Sequence, residues 1–362
     1  MHMMHSGKFS EKKILIIDKE YKNKNDRTWC FWEIEDDLFQ PIVYKQWDHL
    51  HFYSAKFYGP LQIAPYKYKL IRGIDFYNYC INELSRHPNI EWINSPVESI
   101  NNEEEKVIVI TDGKKYKASF AFNSILFEKP QLKKNQYWML QHFKGWRIKA
   151  APNTFNDAVA TLMDFKTEQD EGTTFFYMLP LSHSEALVEY TLFSKELLQE
   201  SKYHNALNNY VTQRLGITDF EIIEEEFGII PMTNYPFSAR EKNIVNIGTA
   251  GGRTKGSSGY TFKFIQKNSA AIVKSLLDKG HPFHVQKENS RFRFYDSVLL
   301  DVLHHRSLDG DVIFSKLFKK NPAALVLKFL DNETSLMEEL KIISTLPTLP
   351  FTKAALRQVF NQ

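Results

Sequence analysis

Two acidic residues stand inside runs of apolar side chains, a setting in which a carboxyl group can do acid chemistry. Glu189 lies in Leu187–Val188–Glu189–Tyr190–Thr191–Leu192–Phe193, and Asp164 in Leu162–Met163–Asp164–Phe165. Apolar walls penalise the ionised form, raise the pKa and make a carboxylic acid a proton donor near neutral pH. A carboxylate facing water from an edge strand fits the same spacing, and the pattern alone does not choose between Glu189 and Asp164. A second stretch able to hold a ligand is Asn246–Gln266, NIGTAGGRTKGSSGYTFKFIQ, with Gly248, Gly251, Gly252, Gly256 and Gly259 in one loop. Ile244, Val245 and Ile247 read as a strand entering it, and Phe262, Ile265, Ala270, Ile272, Leu276 and Leu277 as the stripe of a helix leaving it. Such glycines let backbone approach a ligand, and the helix's first free N–H groups favour a negative group. An ordinary strand–loop–helix connection is the alternative. The chain has no Ser/His/Asp order, no HExxH, no P-loop and no metal-ligand spacing, so no metal is expected.

The elements that must position these groups begin with Lys12–Glu20, KKILIIDKE, a short apolar run ending in acids. It reads as a buried parallel strand with Asp18 and Glu20 at its C-terminal edge. In a dinucleotide-binding unit an acid there accepts hydrogen bonds from the adenosine ribose, and G-x-G-x-x-G precedes it by about 20 residues. Only MHMMHSGKFSE stands before this run, so the first strand and its phosphate loop are expected to be missing from the chain as given. Asn25–Glu33, NDRTWCFWE, gathers Arg27, Trp29 and Trp32 into a segment that suits packing against a flat ligand or, equally, plain core. Aromatic strands follow between Asp48 and Ile71, and Asp75 is expected to cap a helix opening at Arg72. Asp112–Gly113 turns a hairpin. Between Gln136 and Gly228, strand-like runs at 137–146, 158–165, 174–181 and 185–193 predict a second sheet roofing a cavity. Pro231 is expected to end the strand that starts at Glu221. Helices are expected at 290–303, 313–317, 323–330 and 336–343, the last capped by Asn332 and Thr334.

Composition narrows the class. The 362 residues are 43% hydrophobic and 25% charged, which is globular. A net charge of +3 gives no argument for nucleic acid. Aromatics reach 14%, with 28 Phe and 17 Tyr, a surplus that suits a large apolar cavity. Cys30 and Cys80 are the two thiols, which points to a reducing compartment. No run of 18 apolar residues occurs.

In order along the chain, IIDKE, NDRTWCFWE, YKLIRGIDFY, LQHFKGW, TLMDF, FFYMLPLS, ALVEYTLFS, EEEFGIIPMT and IGTAGGRTKGSSGYTF carry a family likeness. From about residue 14 to at least 335 the chain resembles bacterial lycopene cyclases of the carotenoid β-cyclase group, flavoproteins with a dinucleotide-binding fold. The resemblance implies an α/β protein. A Rossmann-like FAD/NAD(P)-binding domain, truncated at its first strand, would carry an inserted antiparallel-sheet substrate domain and a helical C-terminal part. The boundaries it suggests are 1–130 for the incomplete dinucleotide-binding domain and 131–235 for the substrate sheet. Residues 236–280 would return to the flavin domain, and 281–362 would form the helical region.

The resemblance further implies an enzyme of the intramolecular lyase or isomerase kind that closes the ends of lycopene, or a related acyclic carotene, to β-rings without net redox change. It would use reduced FAD, with NAD(P)H as candidate reductant. Glu189 matches the family's acid. Where plant relatives have a second acid this chain has Tyr190, which speaks against a two-carboxylate mechanism. Asp18 and Glu20 match the ribose-binding strand end, Glu20 being the favoured contact. Arg27, Gly248, Gly251, Gly252, Ser258 and Gly259 would border the flavin. Trp29, Trp32, Asp164, Tyr177 and Tyr190 would line the substrate tunnel. A cytoplasmic protein held peripherally at the inner membrane follows, its tunnel mouth meeting the bilayer through the apolar helices near Ile313 to Leu330. Without the phosphate loop the chain as given is expected to hold FAD poorly and to be inactive in that form. The rival readings are a flavin-dependent isoprenoid reductase or monooxygenase, and a non-catalytic remnant that binds carotenoid or lipid.

Overall fold

In the computed structural model, which describes residues 1–285 and 289–360, the aromatic strands in the middle of the chain join one seven-stranded sheet. From edge to edge its strands are Phe220–Thr233 (β16), Trp138–Ala150 (β12), Glu185–Ser194 (β15), Thr173–Pro180 (β14), Val159–Asp164 (β13), His49–Tyr53 (β4) and Tyr58–Gln62 (β5). β12 is antiparallel to both β15 and β16, and β13 runs parallel to β4. β16 passes through Pro231 instead of ending there. It is an edge strand, where proline is tolerated.

Alternation along the strands sorts their side chains onto two faces. Val188, Tyr190 and Leu192 go to one face with Trp146, Ile148 and Phe176. Helix α3 (Glu200–Asn209) and the turn after it cover that face with Tyr203, Leu207, Tyr210 and Val211, and the rings of Phe176 and Tyr210 stack at 3.9 Å. Phe175, Tyr177, Leu179, Leu187 and Phe193 face the opposite side and the main core. Five C-terminal helices close that core: Ser290–His304 (α5), Gly310–Lys320 (α6), Ala323–Leu330 (α7), Leu336–Ile343 (α8) and Thr348–Phe360 (α9). Ile313, Phe314, Leu317, Phe318, Val326 and Leu327 are buried there. At roughly 1.5–3 kcal/mol for each buried large apolar side chain, α6 and α7 are core elements. They do not form the bilayer contact expected of them. Ser335, in a capping box with Glu338, starts α8 in place of Asn332 or Thr334.

The parallel sheet expected around Lys12–Glu20 is present in two pieces. Ile14–Asp18 (β1) pairs in parallel with Ile90–Asn94 (β7). Ala121–Asn123 (β11) pairs in parallel with Ile244–Asn246 (β18), which also carries the short Arg240–Glu241 (β17). Among the described residues no strand bridges the pieces. An apolar space of about 310 Å³ adjoins them, lined by Ile14, Ile16, Phe122 and Ile247, by residues of Phe262–Lys279 (α4), and by Met1–Met4 around the single turn His2–His5 (α1). Val97–Glu103 (β8), Lys106–Thr111 (β9) and Lys114–Ala118 (β10) form a meander; Asp112 and Gly113 turn it with φ of 47° and 66°. Thr28–Glu33 (β2), Lys45–Trp47 (β3) and Lys67–Arg72 (β6) make a last small sheet beside Gly73–Ser85 (α2). Asp75 does not cap α2 but binds Arg72 in a two-point ion pair at 2.6 and 2.8 Å. No described helix is long and apolar enough to cross a membrane.

Candidate active site: a buried carboxyl pair

Gly145 sits in mid-strand on β12, in register with Glu189 of β15 on one side and Glu226 of β16 on the other. Residues directly opposite on neighbouring strands project from the same face, so both carboxyl side chains rise over the bare backbone between them. A Cβ at position 145 would lie 2.8 Å from Glu226 Cγ and 3.1 Å from its Oε1. The glycine therefore lets two acids from non-adjacent strands come within hydrogen-bonding reach of each other.

Each carboxyl has one hydroxyl donor. Thr191 Oγ1 donates to Glu189 Oε1 at 2.6 Å, and Thr28 Oγ1 donates to Glu226 Oε2 at 2.8 Å. Glu226 Oε1 is buried with no donor. A proton held between the two acids satisfies that oxygen; two ionised carboxylates leave it unpaired at a cost of about 1–3 kcal/mol. Burial holds both carboxyls well above the usual carboxylate range, and the charge of Glu226 raises Glu189 further. Charge on one disfavours charge on the other, so the pair keeps one proton around neutrality and titrates as a coupled unit. Glu189 is only partly covered, and it lines the cavity.

That cavity has a volume of about 390 Å³ and is walled by Trp29, Cys30, Tyr68, Phe143, Tyr177 and Tyr260. Burial drives the Tyr68, Tyr177, Tyr260 and Cys30 groups far up, so they stay neutral. The walls are largely electron-rich aromatic faces, and the charged groups in the lining are Glu189 and the Asp26–Arg27 pair. Arg27, half-exposed and paired with Asp26, lines it with the exposed Phe227 and Ile229.

The structure brings Glu189, Tyr177, Trp29, Arg27, Ser258 and Gly259 around one space. It does not bring the other expected residues there. Trp32 is core, its ring 4.5 Å from Tyr260. Tyr190 points to the opposite face, as its even position between Glu189 and Thr191 requires. Asp164 is buried elsewhere and fully engaged, accepting from Tyr210 Oη at 3.1 Å, Arg214 at 3.1 Å and the Lys166 N–H at 2.9 Å. Asp18 accepts the Glu20 N–H and pairs with Lys22, and neither Asp18 nor Glu20 lines the cavity. Gly248 and Gly251 bound a 3-10 turn; a Cβ on Gly251 would lie 2.2 Å from Asn246 O. Gly252 lines a separate cleft of about 920 Å³ that shares Thr249 and Pro231 with the cavity. Glu226 was not singled out by the sequence because Glu224–Glu225–Glu226 reads as a solvated acidic strand. The available signal was a glycine two residues on, at 228, and another opposite, at 145.

One side of the cavity suits a flat anionic ring. Thr249 and Ser258–Phe262 line it, and the side chain of Thr261 leaves the first N–H groups of α4 uncapped. Ser258 Oγ and Gln141 Oε1 are buried there without partners. Gly259 admits that glutamine oxygen, which would sit 2.1 Å from a Cβ. A hydroxyl and helix N–H donors beside an amide oxygen acceptor are the groups that the polar edge of an isoalloxazine ring would pair with.

Comparison with known proteins agrees with this architecture. A family model described as lycopene cyclase protein matches residues 7–356. The chain is 23% identical to the lycopene beta-cyclase of Pantoea ananas over 94% of its length and 90% of that protein. Among solved structures it is similar to a flavoprotein/dehydrogenase from Cytophaga hutchinsonii, with a TM-score of 0.61 and 12% identity over 100% of this chain and 96% of that one. It is also similar to a geranylgeranyl bacteriochlorophyll reductase-like protein from Thermoplasma acidophilum, with a TM-score of 0.60 and 12% identity over 97% and 94% of the two chains. At that identity these two structures establish the flavoprotein fold.

Proposed function

The chain belongs to the lycopene cyclase family, and from that premise we propose that it closes the ends of lycopene, or a related acyclic carotene, to β-rings without net redox change. The observation that carries the reading is the pair of carboxyl groups within hydrogen-bonding reach of each other, Glu189 lining an aromatic cavity. An end group lies against Trp29, Tyr177 and Tyr260. The acid pair gives its proton to the terminal double bond, and the neighbouring double bond attacks the resulting cation to form the ring. Loss of a ring proton then restores a neutral product. Donation leaves two negative charges over Gly145, which makes the pair a strong base suited to take that proton back. Protons balance and no electrons are consumed.

The walls assist in two ways. Neutral aromatic faces stabilise a passing cation by about 0.5–2 kcal/mol each. Excluding water keeps the cation from capture as an alcohol. Bound reduced FAD would supply a flat anionic ring beside the cation, held by Thr249, Ser258, Gly259 and the N-terminus of α4, with NAD(P)H serving only to keep it reduced. An insoluble substrate puts the protein at the cytoplasmic surface of the inner membrane.

Turnover of lycopene in liposomes, anaerobically with FAD and a reductant, tests this. Glu189→Gln and Glu226→Gln should each lower ring formation about 10²- to 10⁴-fold, the range for loss of a general acid, with flavin content unchanged. Wild-type rates in either variant would end the two-acid assignment. NAD(P)H consumed in proportion to product would favour the reductase or monooxygenase reading instead.

A further inference from the structure

α8 and α9 both reverse the usual pattern of a surface helix. Their inner faces reach the core through Ile342, Phe351, Ala354 and Ala355. Their outer faces, where polar residues normally stand, carry Leu336, Met337 and Leu340 on α8 and Leu349, Leu356, Val359 and Phe360 on α9, all at least half exposed. Seven of the 23 large exposed hydrophobic residues among those described fall in these two helices, so the concentration is local. The helices are joined by residues 344–347 alone, which keeps the faces close.

The charges are one-sided. From Leu340 to Phe360 there is no carboxylate, while Lys341 and Lys353 are exposed. Arg357 turns inward to Asp301. The two acids of α8 are spent locally: Glu339 is fully buried against Arg291, and Glu338 holds Lys328 and the Ser335 cap. An apolar face edged by unpaired lysines is complementary to a bilayer with anionic headgroups. Position adds to this. Thr334, just before α8, and Gln358 of α9 both line the 920 Å³ cleft that meets the acid cavity at Thr249 and Pro231.

We infer that the outer faces of α8 and α9 are the surface by which this protein lies on an anionic lipid bilayer. The inference rests on the proposed function for its use, since an apolar substrate must be drawn from lipid, but not for its test. The full chain is floated with vesicles of phosphatidylcholine alone and of phosphatidylcholine with phosphatidylglycerol. Binding should favour the anionic vesicles and weaken with salt. Leu340→Glu with Leu356→Glu should reduce it at least about tenfold, given the apolar area withdrawn, and Lys341→Glu with Lys353→Glu should abolish the preference for anionic lipid. Circular dichroism and ring formation from detergent-dispersed lycopene should stay at wild-type level in both double variants. Unchanged flotation of the leucine variant would overturn the inference, as would sedimentation showing a dimer that the same substitutions dissociate, which would make the face a contact between copies. Vesicle binding with no cyclisation by the wild type would instead count against the proposed function and leave the surface standing.

Discussion

Glu189 and Glu226 differ from surface carboxylates in one measurable respect, the pH at which they cost the fold stability. Burial places both folded pKa values above the unfolded carboxylate value of about 4.3. A raised folded pKa contributes stability that is fully present below the unfolded value and is lost as pH rises through the folded one. Urea unfolding should therefore show stability falling from pH 5 to pH 8 in the wild type, with a flatter profile in Glu189→Gln/Glu226→Gln; equal slopes would mean the acids are ionised at no cost. Glu189 was legible in the sequence because its neighbours are apolar on both sides. Glu226 was not, because its immediate neighbours are Glu225 and Phe227, and its burial comes from a strand far away in sequence. The distinction between Tyr190 and Glu189 was also available in principle, since it follows from strand alternation once the strand is granted.

Strands β12, β15 and β16 convert that chemistry into geometry. The separation of the two acids is set by a strand with no side chain at the crossing point, so Gly145→Ala is the sharpest test at this level. Its Cβ would meet Glu226 and, at 3.2 Å, Leu187 Cδ1. Overpacking of this kind costs about 1–3 kcal/mol, and ring formation should fall by more than stability does, because the acids are pushed apart. Normal activity with an intact fold would show that the pair need not touch. Gly228→Ala is the companion case. Its Cβ would fall 2.2 Å from the Phe143 ring, so it should narrow the cavity and weaken substrate binding, read as a raised KM. The strands themselves were legible from their aromatic and β-branched runs. That β4 and β5 extend the same sheet was not, since nothing local encodes which distant strand pairs with Val159–Asp164. Pro231 misled for a similar reason: a proline ends a central strand but not an edge one, and edge position is a property of the sheet.

The C-terminal helices are tied to the seven-stranded sheet through Asp301. This fully buried carboxylate accepts from Arg357 Nε at 2.9 Å and from Tyr137 Oη at 2.6 Å, tying α5, α9 and the residue just before β12. Burial alone would raise Asp301, but Arg357 and Tyr137 more than offset it and its pKa lies below the usual value. Arg357→Ala removes the arginine partner of this buried charge and should cost about 3 kcal/mol by urea unfolding. A loss much smaller than that would mean water replaces the arginine. The helical layer was legible as a set of helices. Its role was not: periodicity shows that a helix has an apolar face, and only packing shows that α6 and α7 turn theirs inward while α8 and α9 turn theirs out.

Across all three scales the central claim is that ring closure begins with a proton from the acid pair. Lycopene cyclised in D₂O and analysed by mass spectrometry tests it most directly, because a cavity that opens past Arg27 lets the pair exchange with solvent between turnovers. The account predicts one solvent-derived deuterium in each ring formed. Rings that carry no deuterium would contradict it.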